Sequence, residues 1–173
     1  YASITLFQRD SENLIGYIGC PELTGICTNR PFGTYDNVAQ ARARGVEVEA
    51  GASPVDGLTI RAAYAFVDAT NRSVGDPNFG NELARRPRHA GTLSLDWATA
   101  GDPAGGAVIG GDVRIVGEAF DDAGNFTRLD GYTVVDLRVS VPLGMIAGER
   151  PVEVFGRVEN LFDETYQTAA GYN

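Results

Sequence analysis

Residues Pro151–Tyr166, PVEVFGRVENLFDETY, decide how the chain reads. Val152, Val154, Gly156 and Val158 fall on one parity, and Glu153, Arg157 and Glu159 on the other. Successive side chains of a strand point to opposite faces, so this is a strand with one apolar and one charged face. It needs an apolar medium on one side and water or polar protein on the other. A half-exposed soluble sheet and a membrane barrel with a wet lumen both supply that, and periodicity does not separate them. Asn160 falls on the apolar parity, against the alternation. A bulge near Glu159 is the expected reason, with Asn160 pairing backbone groups where the strand ends rather than touching a ligand.

The chain upstream repeats this kind of strand. Residues 1–18 form a first strand whose RDSEN centre interrupts the alternation, followed by a long loop over 19–35. The second strand, 36–53, sets Val46, Val48, Ala50 and Ala52 against Glu47, Glu49 and Gly51, and ends in the tight turn PVDG. The third, 58–71, alternates most cleanly, with Leu58, Ile60, Ala62, Tyr64 and Phe66 on one face. A second long loop covers 72–86. The fourth strand, 87–98, carries Leu93, Leu95 and Trp97 opposite Arg88, Thr92, Ser94 and Asp96, and an aromatic at a strand end suits an interfacial girdle as well as a soluble sheet. After TAGDPAGG comes a fifth strand in which Val113 and Ile115 face away from Asp112 and Arg114. A third long loop spans 118–130, and a sixth strand over 131–143 sets Val135, Leu137, Val139 and Val141 against Asp136, Arg138 and Ser140.

Connections therefore alternate, long after strands one, three, five and seven and short after two, four and six. Outer-membrane barrels sort their connections this way, with short periplasmic turns and long external loops; Greek-key sandwiches have no reason to. Seven is odd, whereas single-chain bacterial barrels use even strand numbers and close completely. The expectation is an all-β fold: an antiparallel transmembrane barrel segment of about seven strands, part of a larger barrel.

Composition bounds the function. The 173 residues include 22 Gly against one Met, one Trp and one His, as expected of a β-rich chain with many turns. A formal charge of -9 argues against nucleic acid, whose binders need a clustered basic surface. Mean hydropathy is -0.12 and no apolar run approaches the roughly 18 residues of a spanning helix, so any membrane crossing is made by strands. Nucleophile elbow, phosphate loop, HExxH and CxxC are all missing from the sequence, so neither catalysis nor a cofactor is expected.

Three segments then carry a family resemblance. GRVENLFDETYQTAAGY at 156–172 resembles the penultimate strand and following loop of TonB-dependent outer-membrane receptors, in which Asn-Leu-Phe-Asp followed by Tyr recurs; Asn160, Leu161, Phe162, Asp163 and Tyr166 are the matching positions. GVEVEAGASPVDGLTIRAAYAFVDA at 45–69 looks like a hairpin of the same receptors, and RRPRHAGTLSLDW at 85–97 like the strand after it. The resemblance implies a 22-stranded barrel closed by an N-terminal plug, which uses the inner-membrane TonB complex to import scarce nutrients such as ferric siderophores, cobalamin or haem. On that reading residues 1–173 are strands fifteen to twenty-one, without plug, TonB-contacting segment or last strand. The implied partners are outer-membrane lipid and lipopolysaccharide, the TonB complex through the plug, and a small nutrient chelate. A passive porin or autotransporter barrel, and a soluble carbohydrate-binding sandwich, are the competing readings.

Ligand contacts are expected from the long loops, where a scaffold presents its variable chemistry: Arg30, Tyr35, Phe79, Asn81, Phe126, Tyr166 and Tyr172. Glu47 and Glu49 are expected to share a wet wall with Arg42, Arg44 and Arg61. Asp121 and Asp122 are carboxylates able to ligate calcium, although the segment lacks the full spacing of a calcium loop. His89 reads as a rim residue rather than a metal ligand. Arg85, Arg86 and Arg88 suit lipopolysaccharide phosphates or an anionic ligand, or form a solvated cluster.

Cys20 and Cys27 lie in GCPELTGICTN, a loop-like segment. A C-x6-C pair is not a zinc spacing and His89 is remote, so a disulfide is expected, worth about 2.5 kcal/mol for so small a ring, in an oxidising compartment. Alkylation of the unreduced folded protein should leave both thiols unmodified; modification of both would contradict the bridge.

Overall fold

The computed structural model describes residues 1–18, 24–30, 32, 34–99, 106–146 and 150–170. Seven long or medium strands make one antiparallel sheet: β1 (Ala2–Ile18), β2 (Thr34–Ala52), β3 (Leu58–Asn71), β4 (His89–Ala98), β5 (Val108–Val116), β8 (Tyr132–Ile146) and β9 (Arg150–Val158). A small ribbon, β6 (Ala119–Phe120) with β7 (Arg128–Leu129), stands in the connection between β5 and β8. Strand order along the sheet is chain order, so every neighbour is reached by a hairpin connection. The long and short connections fall at opposite ends, as the sequence predicts.

Register lines the faces up across the strands. Leu58, Trp97, Ile109, Val139 and Gly156 lie opposite one another in turn, as do Ala50, Ala62, Leu93, Val113 and Val135. All lie on one side. The other side carries the row Arg61, Ser94, Asp112 and Asp136, and the row Asp96, Gly110, Arg138 and Arg157. Phe155 is an apolar exception there, opposite Ser140.

Among the described residues nothing covers the apolar side. Ile4 is 71% exposed, Leu6 75% and Val154 54%, and no large side chain among the described residues is fully buried. Each Val, Leu or Ile held in water forgoes about 1.5–3 kcal/mol, so a continuous face of them requires an apolar medium. Trp97 and Leu58 stand at the short-connection end of this face, the place for an interfacial aromatic.

The polar side is stabilised by ion pairs between strands. The Arg138 guanidinium reaches Asp96 Oδ1 at 2.5 Å and also pairs with Asp112, Arg61 approaches Asp96 at 3.6 Å, and Ser94 Oγ donates to Asp112 at 2.6 Å. Four adjacent strands are thus cross-linked on a wet wall.

As the sequence predicts, residues 2–18 make one strand whose RDSEN centre is irregular: register shifts fall between Ser11 and Ile15, with Asn13 at φ 56°. Three details differ from the sequence reading. The third long loop contains the β6–β7 ladder, two residues on each side, too short for alternation to reveal. β2 begins at Thr34 and β4 at His89, each two residues from expectation. Arg42 and Arg44 do not share a face with Glu47 and Glu49. Their parity is opposite, and each meets the acid directly across the ladder on the apolar side's long-loop end: Arg42 with Asp10 at 2.6 Å and Arg44 with Asp68 at 2.9 Å. Arg61 does lie on the glutamates' side, paired to Asp96.

Arginine placed on the two sides of β8 should separate them. In the full-length parent folded into lipid vesicles, Leu137→Arg should cost about 2–4 kcal/mol, whereas Ser140→Arg, beside Glu153 on the wet side, should cost under about 1. Equilibrium urea unfolding measures both, and equal costs would refute the facing.

Candidate functional site

At the long-connection end the loops are held by side chains that imitate backbone. Asn and Asp do this readily because a short polar side chain bonds nearby main-chain groups. In the 72–88 loop, Asn71 Oδ1 accepts from Ser73 N at 2.8 Å, and Asp76 Oδ1 from Asn78 N at 2.7 Å. The next loop is clasped onto it. Asn125 Oδ1 accepts from Glu82 N at 2.9 Å, and Asn125 Nδ2 donates to Glu82 O at 3.1 Å, so one amide side chain acts as a strand neighbour. Arg85 adds a main-chain bond to Phe120 O at 2.6 Å and an ion pair to Asp121 at 2.7 Å. Arg85 and Asn125 both adopt positive φ, 57° and 58°.

Inside the 118–130 loop the Asp122 carboxylate accepts from Thr127 N at 2.7 Å and Phe126 N at 3.2 Å. These main-chain donors hold its pKa below the ordinary carboxylate value. Of the two carboxylates considered for calcium, Asp121 faces the Arg85 guanidinium and Asp122 accepts from main-chain amides, and no group of three or more His, Cys, Asp or Glu gathers among the described residues.

The loop after β9 explains its own sequence. The ladder pairs Leu137 with Val158, and unbroken register would place Leu161 opposite Val134; instead Leu161 N donates to Val135 O at 2.8 Å. One residue is extra. Asn160 takes φ 50° and Asp163 φ 54°, the left-handed region that Asn and Asp tolerate best among non-glycine residues. Asn160 therefore leaves the strand's alternation, which accounts for its parity. Its side chain accepts from Glu164 N at 2.9 Å and donates to Glu164 O at 3.0 Å, and its own N–H donates to Asp136 Oδ1 at 2.8 Å. Leu161 and Phe162 stay exposed. Tyr166 stacks on Tyr132 with ring centroids 4.0 Å apart.

The other expected contacts scatter. Asn81 donates to Ala123 O and serves the clasp; Phe126, next to Asn125, is 92% exposed; Phe79 lies under the Arg72 guanidinium at 5.9 Å. Arg30 donates to Thr34 Oγ1, and Tyr35 is exposed on β2. Tyr172 and Cys20 lie outside the described residues; Cys27 is buried and disulfide-bonded. The three arginines do not form one patch. Arg85 lines a cavity of about 220 Å³ with Tyr132, Gln167 and Thr168, whereas Arg88 pairs with Glu82 at 2.9 Å and lines a separate cavity of about 290 Å³ with His89 and Arg128. Arg86 is exposed. His89 sits on the apolar side's rim, its Nδ1 2.7 Å from the Tyr64 hydroxyl. The sequence reading missed Asp136, Asn125, Tyr132, Gln167 and Thr168. For Asp136 a signal exists, a carboxylate on the polar parity of a strand abutting the Asn160 segment.

A one-layer antiparallel wall, apolar on one side, polar on the other, with all long loops at one end, is a segment of a transmembrane β-barrel. Residues 1–161 match the family model described as TonB dependent receptor-like, beta-barrel, and the chain belongs to that family, an outer-membrane fold. It is 32% identical over 139 residues to the ferrichrome outer membrane transporter/phage receptor of Escherichia coli (strain K12), covering 79% of this chain and 18% of that protein. It is 27% identical over 175 residues to the vitamin B12 transporter BtuB of Photobacterium profundum, covering 99% of this chain and 25% of that one. The chain thus spans a quarter or less of these relatives. Among solved structures, the ferric preacinetobactin receptor BauA of Acinetobacter baumannii superposes with a TM-score of 0.74 at 17% identity, over 95% of this chain and 23% of that one. The ferric citrate transporter FecA gives 0.72 at 23%, over 95% and 24%. At these identities the two structures show the fold.

The Asp122 loop should be acid-sensitive. Its folded pKa lies below 3.8, so the stability it lends is complete above that value and is lost as pH falls through the folded pKa. Amide protection factors at Phe126 and Thr127 should hold from neutral pH down to about 4 and fall below it, and Asp122→Ala should lower them at neutral pH. Loss of protection already near pH 6 would contradict this.

Proposed function

We propose that the chain is part of an outer-membrane receptor that imports a scarce nutrient chelate, a ferric siderophore, cobalamin or haem, with energy delivered through TonB. The family match over residues 1–161 carries the reading. Relatives named for ferrichrome, ferrioxamine B and vitamin B12 support the substrate class. In this reading residues 1–173 supply barrel wall and external loops, and the plug and TonB-contacting region belong to the rest of the receptor. The wall itself has a passive task. Its lipid side anchors it, its ion-paired side encloses a wet lumen, and its clasped loops present the vestibule. Iron, where it is carried, is cargo held by its chelator.

Cells carrying the full-length parent should accumulate one of labelled ferrichrome, ferrioxamine B or cobalamin, and collapse of the proton-motive force should abolish the accumulation. Entry that is unselective and unaffected by the collapse would contradict the receptor assignment and identify a passive pore.

A further inference from the structure

The Asp136 carboxylate joins the barrel wall to the loop after β9. Its side chain stands on the polar side of β8, and its Oδ1 accepts the Asn160 N–H at 2.8 Å while Oδ2 meets Arg157 at 3.3 Å. The first bond falls where β9 gains its extra residue, so the carboxylate satisfies an amide that the shifted ladder cannot. From that point the chain turns through Asn160 and Asp163, is closed by the two Asn160–Glu164 bonds, and is laid against β8 by the Tyr132–Tyr166 stack. Gln167 and Thr168 follow directly, and they form one wall of the 220 Å³ cavity, whose other walls come from the end of the 72–88 loop, the β6–β7 ribbon and the facing ends of β5 and β8. The loop after β9 is therefore held at its root by Asp136 and closes a cavity at its far side.

The lining decides what fits. Arg85 is already paired with Asp121, and Asp130 adds a second acid, so an anionic group gains little there. Tyr132, Gln167 and Thr168 offer neutral donors and acceptors above an apolar floor that includes Leu129, which is 6% exposed. An uncharged group that combines hydrogen-bonding atoms with apolar surface matches both.

We propose that Asp136 is a positioning residue that fixes the loop after β9 as a wall of this cavity, making the cavity a contact subsite for an uncharged, hydrogen-bonding portion of the imported ligand. The subsite half rests on the receptor reading above; the positioning half does not. The test uses the full-length receptor in detergent micelles. Hydrogen exchange of residues 160–168 without ligand reads the positioning: Asp136→Ala should raise exchange there at least tenfold, while Asp136→Asn, whose Oδ1 still accepts the Asn160 N–H, should keep most of the protection. Unchanged heat-modifiable gel mobility verifies that each variant barrel is folded. Exchange that is unaltered in Asp136→Ala, or equally raised in Asp136→Asn, overturns the latch. Intrinsic-fluorescence titration with ferrichrome, ferrioxamine B and cobalamin reads the subsite: Asp136→Ala, and the cavity-filling Thr168→Phe, should each weaken the probe that binds by about tenfold. Thr168→Phe should do so without raising exchange. Undiminished affinity in Thr168→Phe overturns the subsite. Binding of none of the three by wild-type receptor removes the subsite together with the function beneath it, and the exchange data then judge the latch alone.

Discussion

A strand that crosses hydrocarbon must find a partner for every backbone amide and carbonyl inside the protein, because lipid offers none. Each part of the wall follows from that. The seven strands of the sheet, β1 to β5, β8 and β9, pair in chain order, and residues of alternate parity are left to face two different media. Hairpin connections at both ends are the shortest way to keep such a ladder supplied. With the backbone satisfied, side chains need only match their surroundings, which is why an apolar face with nothing packed on it is stable here and would not be in water.

The polar face and the loops solve the same problem by other means. On the wet wall, Arg138 bridges acids from two other strands and Arg61 joins them, so these charges are compensated across the sheet. Above the wall the ladder gives out, and Asn and Asp side chains take over its role. Asn125 stands in for a strand beside Glu82, Asp122 for a carbonyl beneath Thr127, and Asn160 for a turn of backbone around Glu164. The external loops are thereby shaped by polar bonds that survive contact with water, leaving aromatic and aliphatic residues such as Phe126 and Phe162 outward.

Much of this was legible in the chain because a two-residue period leaves a strong imprint over nine or more residues. The strands, their order of connections and the lipid face of Leu137 or Val154 come from alternation alone. Where the imprint is weak the reading failed. Two residues of β6 and two of β7 carry no period. Charge alone groups Arg42 and Arg44 with Glu47, although parity places them opposite and register hands them Asp10 and Asp68. The parity of Asp136 places its carboxylate on the polar side, but its partner, the Asn160 N–H, lies 24 residues downstream at a register shift that alternation does not show. The Asn-Leu-Phe-Asp motif was recognised as a signature, but its physical content, two left-handed residues framing a turn, needed the backbone angles.

The facing of the strands is the claim on which all else stands, and spin labels test it most directly. Single cysteines at positions 134 to 141 of a cysteine-free full-length parent, reconstituted in lipid and labelled with nitroxide, should alternate. Labels at 135, 137, 139 and 141 should collide preferentially with oxygen dissolved in the bilayer, and those at 134, 136, 138 and 140 should not. A profile without period, or one of the opposite phase, would contradict the lipid-facing wall.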